Sequence, residues 1–396
     1  MDIVILSLIR HDAPISSTTL ALAKVLSREY RVFYIDHSRT MKDVLAEEGS
    51  RGFLRHMADK RQGKLESLEV KVGTHQFTAL RPWMTWPVNF FPPGLLYARF
   101  SSWNDRRMNK FMRCLIDRYT LKDYLFINAM DPFFLKKFPE RIRPAHHVYY
   151  SLDNISEVSY TARHGSRLEA EQVGQVEVAL ATSTELRNKL LQWREEVHLL
   201  PNAVDFEHFH KATAEEQEVA EDIRDLDGTL IGYVGSLEYR VDADIMEAVL
   251  QAHPDKKLVA IGPVLKEHLP FERLEKYENF VFLGPRKFEE LPAYLKAFSC
   301  GIIPFRKTGV TRSIYPLKVN EYLAAGLPVV ATPFSPDIMA FGGDIELAEG
   351  GETFAGAIEK ALDRKKNEDP KKRFDVAKEN TWERRVERLW QILKMN

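Results

Sequence analysis

The residues best suited to chemistry lie in one run between positions 313 and 332. Pro316 is tolerated in the first turn of a helix, because the N–H that proline lacks would have no partner within the helix. Gly326 is typical of the position just past a helix end. The run therefore predicts a short helix that begins near Tyr315 or Pro316 and ends at Ala325, with a strand after it.

Two side chains of this predicted helix are spaced for ligand binding. Lys318 falls in the first turn, and Glu321 follows one turn later on nearly the same face. A helix N-terminus attracts anions because its dipole is positive there and its first N–H groups point outward. The pattern predicts hydrogen-bond donors to a phosphate at the N-terminus of the helix. One turn later, it predicts a carboxylate that accepts hydrogen bonds from hydroxyl groups. A sugar nucleotide presents that pair, a diphosphate and then a ribose.

Length and composition limit the class of protein. A chain of 396 residues is too long for one ordinary core, so two domains are expected. The net charge of −1 lacks the basic excess of a nucleic-acid-binding protein, so no nucleic-acid partner is expected. Cys114 and Cys300 are far apart and predict neither a disulfide framework nor a metal cluster.

The N-terminal region predicts a parallel sheet. The apolar run Ile3–Ile9 has strand length and lacks the basic start of a signal peptide. Ser16 or Ser17 is expected to cap a helix through Glu29, and residues 31–35 form the next strand. No apolar run reaches the roughly 20 residues that span a bilayer, so a cytoplasmic protein is expected. The glycine-rich dinucleotide-binding loop is missing after the first strand.

The run from Pro316 to Val330 resembles the donor-site helix of GT-B glycosyltransferases, in particular the family-4-type group of bacterial polysaccharide enzymes. Many members carry two glutamates separated by seven residues. Glu321 matches the second, and Ser313 stands where the first would be. The resemblance implies an α/β protein with two Rossmann-like domains facing across a cleft, and a C-terminal helix that crosses back to the first domain.

A second similar segment suggests where the domains divide. Pro201-Asn202-Ala203-Val204-Asp205 resembles the Pro-Asn-Gly-Val-Asp segment that joins the two GT-B domains. We therefore expect an acceptor-side domain at 1–204 and a nucleotide-sugar domain at 205–375. A terminal helix at 376–396 carries an apolar stripe with two tryptophans, which suits packing back on the first domain. Packing on its own domain is the alternative.

The resemblance also suggests donor-site residues beyond the helix. Similar enzymes show Gly-Arg-Leu after the first strand of the second domain and a lysine soon after, both touching the diphosphate. This chain has Gly235-Ser236-Leu237, with Arg240 near the lysine position. Arg286 falls near a nucleobase contact, and Arg312 immediately precedes the predicted helix. The expected donor-site residues are Gly235, Ser236, Arg240, Arg286, Arg312, Tyr315, Leu317, Lys318 and Glu321.

The acceptor-side chemistry is assigned to Asp153. This residue follows a predicted strand at residues 147–152, and open α/β sheets bind ligands at the carboxyl ends of their strands. Asp153 could act as a general base on an acceptor hydroxyl, or it could cap the next turn. Two Asp-x-Asp triplets, at 225–227 and 242–244, read as a turn and a helix cap. No metal or other cofactor is therefore expected.

Residues 81–113 combine aromatic, proline and basic residues. Aromatic side chains beside cations suit the surface of a membrane or an anionic lipid headgroup. The alternative is a long loop that covers the core of the first domain, with solvated arginines. Peripheral contact with the inner face of the membrane through this window is one expectation for the partners of the protein.

The resemblance implies a metal-independent glycosyltransferase for cell-surface polysaccharide synthesis. It would move a sugar from a nucleoside diphosphate, with UDP as the expected nucleotide, to a saccharide or lipid-linked acceptor. The residues leave retention or inversion of the sugar configuration open. Two alternatives are a GT-B sugar-nucleotide epimerase and a degenerate module that binds a sugar nucleotide without turnover. Ser313 and Ser236 in place of the usual residues favour the second of these.

Overall fold

The chain divides into two units, each built on one sheet. A computed structural model describes residues 1–13, 17–157, 160–265 and 269–395. The first unit holds residues 1–201 together with 386–396, and the second holds 202–385. The length of the chain predicts two such cores, since a single hydrophobic core rarely grows beyond roughly 250–300 residues.

Between residues 1 and 201, the described part of the first unit contains eight strands and five helices. The strands are β1 (Asp2–Ser7), β2 (Arg31–Ile35), β3 (Glu66–Val72), β4 (His75–Arg81), β5 (Tyr124–Ala129), β6 (His146–Ser151), β7 (Val178–Ala181) and β8 (His198–Leu199). The helices are α1 (Thr18–Leu26), α2 (Met41–Gln62), α3 (Leu95–Tyr119), α4 (Gly165–Val173) and α5 (Thr184–Leu190), with a 3-10 turn at Glu140–Ile142.

The strands of the first unit pair in the order β3-β4-β2-β1-β5-β6-β7-β8. Every pair is parallel except β3 with β4. All residues of β5 are buried, as expected for a parallel strand covered on both faces. Of the two serines predicted to cap α1, Ser17 accepts a hydrogen bond from the Leu20 N–H at 3.1 Å, and Ser16 lies outside the described residues.

The second unit contains six strands and is richer in short helices. The strands are β9 (Thr229–Val234), β10 (Lys256–Ile261), β11 (Phe280–Gly284), β12 (Cys300–Ile303), β13 (Val329–Ala331) and β14 (Glu346–Leu347). The helices are α6 (Phe206–His210), α7 (Glu221–Arg224), α8 (Ala243–Ala252), α9 (Phe271–Leu274), α10 (Leu291–Leu295), α11 (Gly309–Arg312), α12 (Leu317–Ala324), α13 (Pro336–Met339), α14 (Gly351–Asn367) and α15 (Lys371–Lys378). The last helix, α16 (Trp382–Ile392), begins in this unit and continues into the first.

The second sheet is parallel throughout, in the order β11-β10-β9-β12-β13-β14. The chain order reverses direction around β9 and β12, which lie side by side at the centre. Such a switch point is where open α/β sheets bind ligands, outside the carboxyl ends of the strands. Both sheets are therefore Rossmann-like, as the sequence predicts. No helix in the described part of the chain is long and apolar enough to cross a membrane.

The C-terminal helix packs on the first unit, which confirms the prediction for it. Its residues from Val386 onward group with that unit, although the helix begins at Trp382. The ring of Trp390 lies 5.1 Å from that of Tyr30, which follows α1 in the chain. Leu389 and Leu393 are buried on the same side of the helix. These contacts tie the end of the chain to its beginning.

We expect Leu389→Ala to lower the free energy of unfolding by about 2–5 kcal/mol, because it leaves a cavity at a fully buried site. Gln391→Ala, at an exposed position of the same helix, is the matched control and should change stability by less than about 0.5 kcal/mol. Denaturant unfolding of the full chain measures both values. Equal effects of the two substitutions would contradict the packing described for α16.

Candidate functional site

Glycines end three neighbouring strands of the second sheet. Gly235 follows β9, Gly262 follows β10, and Gly284 ends β11. The Gly235 N–H donates to the Ile261 carbonyl at 2.8 Å, and the Gly262 N–H donates to the Gly284 carbonyl at 2.9 Å. A Cβ atom at Gly262 would lie 2.1 Å from the Gly235 carbonyl oxygen. The backbone at this carboxyl edge is therefore packed too closely for any side chain at Gly262.

The edge brings together three residues that the sequence places in the donor site. A Cβ atom at Gly235 would lie 2.7 Å from Cε of Lys318 and 3.4 Å from its Nζ. The Nζ atom of Lys318 lies 3.8 Å from Oε2 of Glu321. A cation and a carboxylate from α12 thus stand over exposed backbone, which is an arrangement that suits a phosphate beside a hydroxyl group.

Buried hydrogen bonds hold α12 against the sheet. The Tyr322 hydroxyl accepts a hydrogen bond from the Val234 N–H at 2.8 Å. Burial raises the pKa of Tyr322 well above its usual value, so the hydroxyl stays protonated. Its ring fills the space that glycine leaves at Gly301, where a Cβ atom would meet the ring at 2.6 Å. The position of Lys318 therefore depends on this packing one turn further along the helix.

The first turn of α12 is less open than the sequence predicts. The Leu317 N–H donates to the Tyr315 carbonyl at 2.9 Å, and the Val319 N–H donates to the Pro316 carbonyl at 3.0 Å. This corrects the expectation of wholly free N–H groups at the helix tip. The correction has a simple cause, because Pro316 adopts a ψ of 69°, which turns the chain tightly just before the helix.

Tyr315 is placed in the interior. Its side chain is only 7% exposed, and its hydroxyl hydrogen-bonds with Nδ2 of Asn320 and Oδ1 of Asn380, both at 3.1 Å. Burial raises the pKa of this phenol. The Tyr315 side chain therefore packs in the interior and stabilises α12. Only the backbone of Tyr315 lies at the turn where the helix begins.

Two of the predicted arginines already have carboxylate partners. Arg240 forms an ion pair with Glu238, a residue that is only 8% exposed, and its guanidinium lies 5.9 Å from the Phe305 ring centroid. Arg286 donates to Asp222 at 2.6 Å and to the Tyr294 hydroxyl at 2.6 Å. The hydrogen bond to Asp222 raises the pKa of Arg286. A phosphate at either arginine would have to share the guanidinium with a carboxylate.

The remaining donor-site candidates lie around the same edge or just before α12. Ser236 is half-buried, and its carbonyl accepts a hydrogen bond from the Tyr233 hydroxyl at 2.8 Å. Arg312 is exposed at the end of α11. Ser313 is buried, and its hydroxyl donates to the Gly309 carbonyl at 3.4 Å. The residue at the first-glutamate position therefore faces the backbone of α11.

In the first unit, Asp153 lies just past the carboxyl end of β6, where the sequence places it. The side chain is exposed, and its Oδ1 atom accepts a hydrogen bond from the Asn154 N–H at 2.8 Å. The second carboxylate oxygen is not used in that bond. The geometry is compatible with both roles predicted from the sequence. Asp153 can cap the turn through Oδ1, and its other oxygen can accept the proton of a hydroxyl group.

A histidine–carboxylate pair at the same sheet edge is missed by the sequence analysis. Nδ1 of His37 lies 2.6 Å from Oδ2 of Asp131, and its Nε2 lies 2.9 Å from the Tyr160 hydroxyl. Asp131 is fully buried, and its Oδ1 also accepts from the Phe133 N–H at 2.9 Å. A buried carboxylate on one ring nitrogen fixes the tautomer and orientation of the imidazole, as catalytic histidines require.

His11 and Asp36 form a second pair at this edge. The two side chains meet at 2.8 Å, and the His11 N–H donates to Oδ1 of Asp36 at 2.8 Å. Burial raises the pKa of Asp36, and the hydrogen bonds from His11 oppose that effect. A polar residue just after each strand end was the available signal for both pairs. Asp36 and His37 directly follow β2, and Asp131 lies two residues past β5.

Acidic residues do not gather into a metal site in the residues that the structure covers. No group of three or more histidine, cysteine, aspartate or glutamate side chains there could hold a metal ion. Asp242 caps α8 as predicted, with Oδ1 accepting from the N–H groups of Asp244 and Ile245 at 3.0 and 3.4 Å.

Comparison with known proteins shows what this part of the chain is similar to. Residues 228–364 match the family described as glycosyl transferases group 1. This range contains β9 to β14 and the whole α12 site. By fold the chain is a GT-B protein, and its second unit contains the segment that is similar to group 1 glycosyl transferases. The resemblance seen from Pro316 to Val330 is confirmed.

Among curated proteins, the chain is similar to TuaH of Bacillus subtilis (strain 168), provisionally named a teichuronic acid biosynthesis glycosyltransferase. The two are 29% identical over 204 residues, which is 50% of this chain. The match spans only about half, 51%, of the length of that relative.

Solved structures support the fold over the whole chain. The E. coli trehalose-6-phosphate structure with UDP-2-fluoro glucose has a TM-score of 0.67 at 14% identity, over 100% of this chain and 99% of that one. HepE from Anabaena in complex with UDP has a TM-score of 0.64 at 13% identity, over 100% of both chains. At such low identity these likenesses establish the GT-B fold and nothing finer.

We expect Gly235→Ala to weaken nucleoside diphosphate binding about tenfold, because the new methyl group displaces Lys318 from the backbone edge. Gly235 has a φ of 155°, which alanine adopts less readily than glycine, so the substitution also adds a strain of roughly 1 kcal/mol to the folded state. Gly356→Ala in α14 is the matched control, since a Cβ atom there meets nothing within 4 Å. Calorimetric titration measures binding, and unchanged affinity in Gly235→Ala would contradict the close approach of Lys318.

Proposed function

We propose that this protein is a glycosyltransferase that moves a sugar from a nucleoside-diphosphate sugar to a hydroxyl group of a saccharide or lipid-linked acceptor in cell-surface polysaccharide synthesis. The observation that carries the proposal is the position of Lys318 over Gly235, with Glu321 beside it. A catalyst of sugar transfer must stabilise a diphosphate leaving group and hold its nucleoside, and this arrangement offers one group for each task.

On the donor side, the Lys318 ammonium binds the diphosphate at the backbone edge by Gly235 and Ser236. Arg312 and Arg240 add positive charge as negative charge develops on the leaving phosphate. Arg240 does so only by giving up or sharing Glu238, so its contribution is the smaller. Glu321 accepts hydrogen bonds from the ribose hydroxyls. Arg286 contributes through its backbone, since its guanidinium is held by Asp222. Leu317 contributes through its N–H, which the ligand must share with the Tyr315 carbonyl.

On the acceptor side, the carboxyl edge of the first sheet presents Asp153 and the His37–Asp131 pair. We assign to them the binding of the acceptor hydroxyl. If transfer inverts the sugar configuration, one of them must take the hydroxyl proton. His37 suits that task because Asp131 holds its Nδ1 at 2.6 Å and would stabilise the imidazolium that forms. The acceptor hydroxyl would replace the Tyr160 hydroxyl, which lies 2.9 Å from Nε2.

UDP is the nucleotide that we propose. The solved structures with a similar fold include proteins described with UDP or with UDP-2-fluoro glucose bound. We further propose that transfer needs no metal, because Lys318 and the two arginines supply the charge that a divalent ion would otherwise bring to a diphosphate. The reaction would run in the cytoplasm at the inner face of the membrane, where a lipid-linked acceptor is within reach.

A binding module without turnover is the second candidate. The buried Ser313 and the pairing of Arg240 with Glu238 favour it, since each removes a charged group that similar enzymes aim at the donor. Incubation of the full chain with UDP-sugars and lipid-linked acceptors, followed by product analysis, decides between them. Transfer of the sugar supports the enzyme. An epimerised sugar or an unchanged donor would overturn it.

We expect Lys318→Met to weaken UDP binding by about 10- to 100-fold, because charge-assisted hydrogen bonds contribute roughly 1.5–3 kcal/mol. Lys360→Met, at an exposed site on α14, is the matched control and should leave binding unchanged. Titration with UDP in the presence of EDTA measures the affinity of both variants. The same titration of the unsubstituted chain tests whether UDP binding needs a metal. Binding that is abolished by EDTA in the unsubstituted chain would refute the metal-free proposal.

We expect His37→Gln to lower kcat by about 100-fold or more while leaving the affinity for UDP unchanged, because general base catalysis contributes roughly 10²–10⁴-fold. Asp131→Asn should lower kcat too, through the lost orientation of His37. His75→Gln, at the exposed first residue of β4, serves as the control. Asp153→Asn is measured alongside them. If Asp153→Asn slows turnover and neither His37→Gln nor Asp131→Asn does, the proton acceptor is Asp153.

A further inference from the structure

Arg107 on α3 is a buried cation without a carboxylate partner among the described residues. It is 4% exposed, and within that part of the chain none of its three guanidinium nitrogens has a hydrogen-bond partner. Burial lowers its pKa to about 10. An unpaired charge removed from water is costly, and natural proteins rarely keep one without a use. The absence of a carboxylate here indicates a site for an anion that is supplied from outside the chain.

Further cations surround Arg107. Lys60, near the end of α2, lies 5.1 Å from the Trp103 ring centroid, and the guanidinium of Arg107 lies 5.4 Å from the same ring. Burial and the positive charges of Arg107 and Lys110 lower the pKa of Lys60. In the described ranges, no carboxylate lies within ion-pair distance of any of the three. The cations are held together against their mutual repulsion.

An aromatic row runs from this cation cluster toward the start of α3. The ring centroids of Trp103 and Trp86 are 5.6 Å apart, and Trp86 lies 5.6 Å from Phe100. Phe91 stacks on Phe100 at 5.4 Å, and Phe90 follows Phe91 at 4.1 Å. The row therefore connects the buried charge to the N-terminal end of the helix.

The N-terminal end of α3 is covered by apolar side chains that face solvent. Leu95 is 91% exposed, Leu96 is 62% exposed and Phe90 is 61% exposed. Adjacent exposed leucines and phenylalanine at one helix end cannot be explained by the core of the first unit. They form a patch of the kind that marks an interaction surface.

The charge of α3 narrows the choice of partner. The helix carries six arginine and lysine residues against two aspartates, a difference of four positive charges. Of these cations, Arg99, Arg106, Lys110 and Arg113 are exposed. A second copy of the chain would bring the same positive surface and be repelled. A free phosphate would satisfy Arg107 but would leave the leucines in water.

We propose that α3 docks on a membrane that contains anionic phospholipids, with a lipid phosphate bound between Lys60 and Arg107. Trp103 lies beside that phosphate, and the aromatic row continues along the lipid. Leu95, Leu96 and Phe90 enter the boundary between headgroups and acyl chains, as interfacial helices do. The exposed arginines add attraction to the negatively charged surface.

The proposal stands apart from sugar transfer, because Lys60, Arg107 and the leucines belong to neither candidate site. It also narrows the alternatives for residues 81–113. Trp83 is buried in the core cluster, as the covering-loop interpretation requires, whereas Phe90, Leu95 and Leu96 are turned to solvent. Both interpretations thus hold for different parts of the window.

The test is sedimentation of the full chain with phosphatidylcholine vesicles and with mixed phosphatidylcholine–phosphatidylglycerol vesicles. We expect clearly stronger binding to the mixed vesicles, with each surface cation contributing about fivefold. Leu95→Ala with Leu96→Ala should weaken that binding about tenfold or more, because less apolar area is buried. A matched control, Leu68→Ala with Met339→Ala, removes two exposed apolar side chains elsewhere and should have no effect. Equal binding of both vesicle types, or none, would overturn the proposal.

Arg107→Met separates a lipid site from a structural role. We expect it to reduce the preference for anionic vesicles about fivefold and to raise the Tm of the lipid-free protein, because a buried unpaired charge is removed. A lower Tm would show that Arg107 stabilises the fold and would overturn the proposed lipid site.

Inorganic phosphate is the remaining probe. If it stabilises the unsubstituted chain without any vesicle binding, the site takes soluble phosphate and the membrane proposal fails. UDP titration of each variant confirms that it is folded.

Discussion

The second unit depends on how closely backbone can approach at one sheet edge. Gly262 must be glycine because the Gly235 carbonyl occupies the place of its side chain, and a side chain at Gly235 would push the end of Lys318 aside. The lysine is there because α12 is fixed to the sheet through Tyr322 and Val234. Backbone packing and the buried Tyr322 phenol together fix the position of Lys318, on which the proposed donor site depends.

The two units treat positive charge in different ways. In the second unit, Arg240 and Arg286 are paired with Glu238 and Asp222, which orient and neutralise these two arginines. Lys318 in the same unit lies 3.8 Å from Glu321, so its ion pair is a longer one. Within the described part of the first unit, the Arg107 guanidinium has no hydrogen-bond partner. A paired arginine serves structure until a ligand competes for it, whereas an unpaired buried arginine is costly until an anion arrives.

Local sequence predicts the donor helix well, because its features are close together in the chain. Pro316, Lys318, Glu321 and Gly326 lie within 11 residues, and helix geometry alone sets their relative positions. The pairing of His37 with Asp131 joins residues 94 positions apart, at the ends of β2 and β5. It could be predicted only with the strand order in hand.

Burial of charged side chains is the other quantity that sequence patterns do not supply. Arg107 and its neighbour Arg106 look alike in the sequence, yet one is enclosed and the other is exposed. The same holds for Arg240, whose partner Glu238 lies two residues away and could equally have pointed elsewhere. Which cations remain available to a ligand is decided by packing among elements that are distant in the chain.

Hydrogen–deuterium exchange of the full chain, with and without UDP, tests the central claim most directly because it locates the ligand. Exchange should slow in the peptides covering residues 230–240 and 312–322, since ligand binding suppresses local opening of the segments it contacts. The account predicts that protection is greatest there. Protection confined to other segments, with exchange unchanged around Gly235 and Lys318, would contradict it.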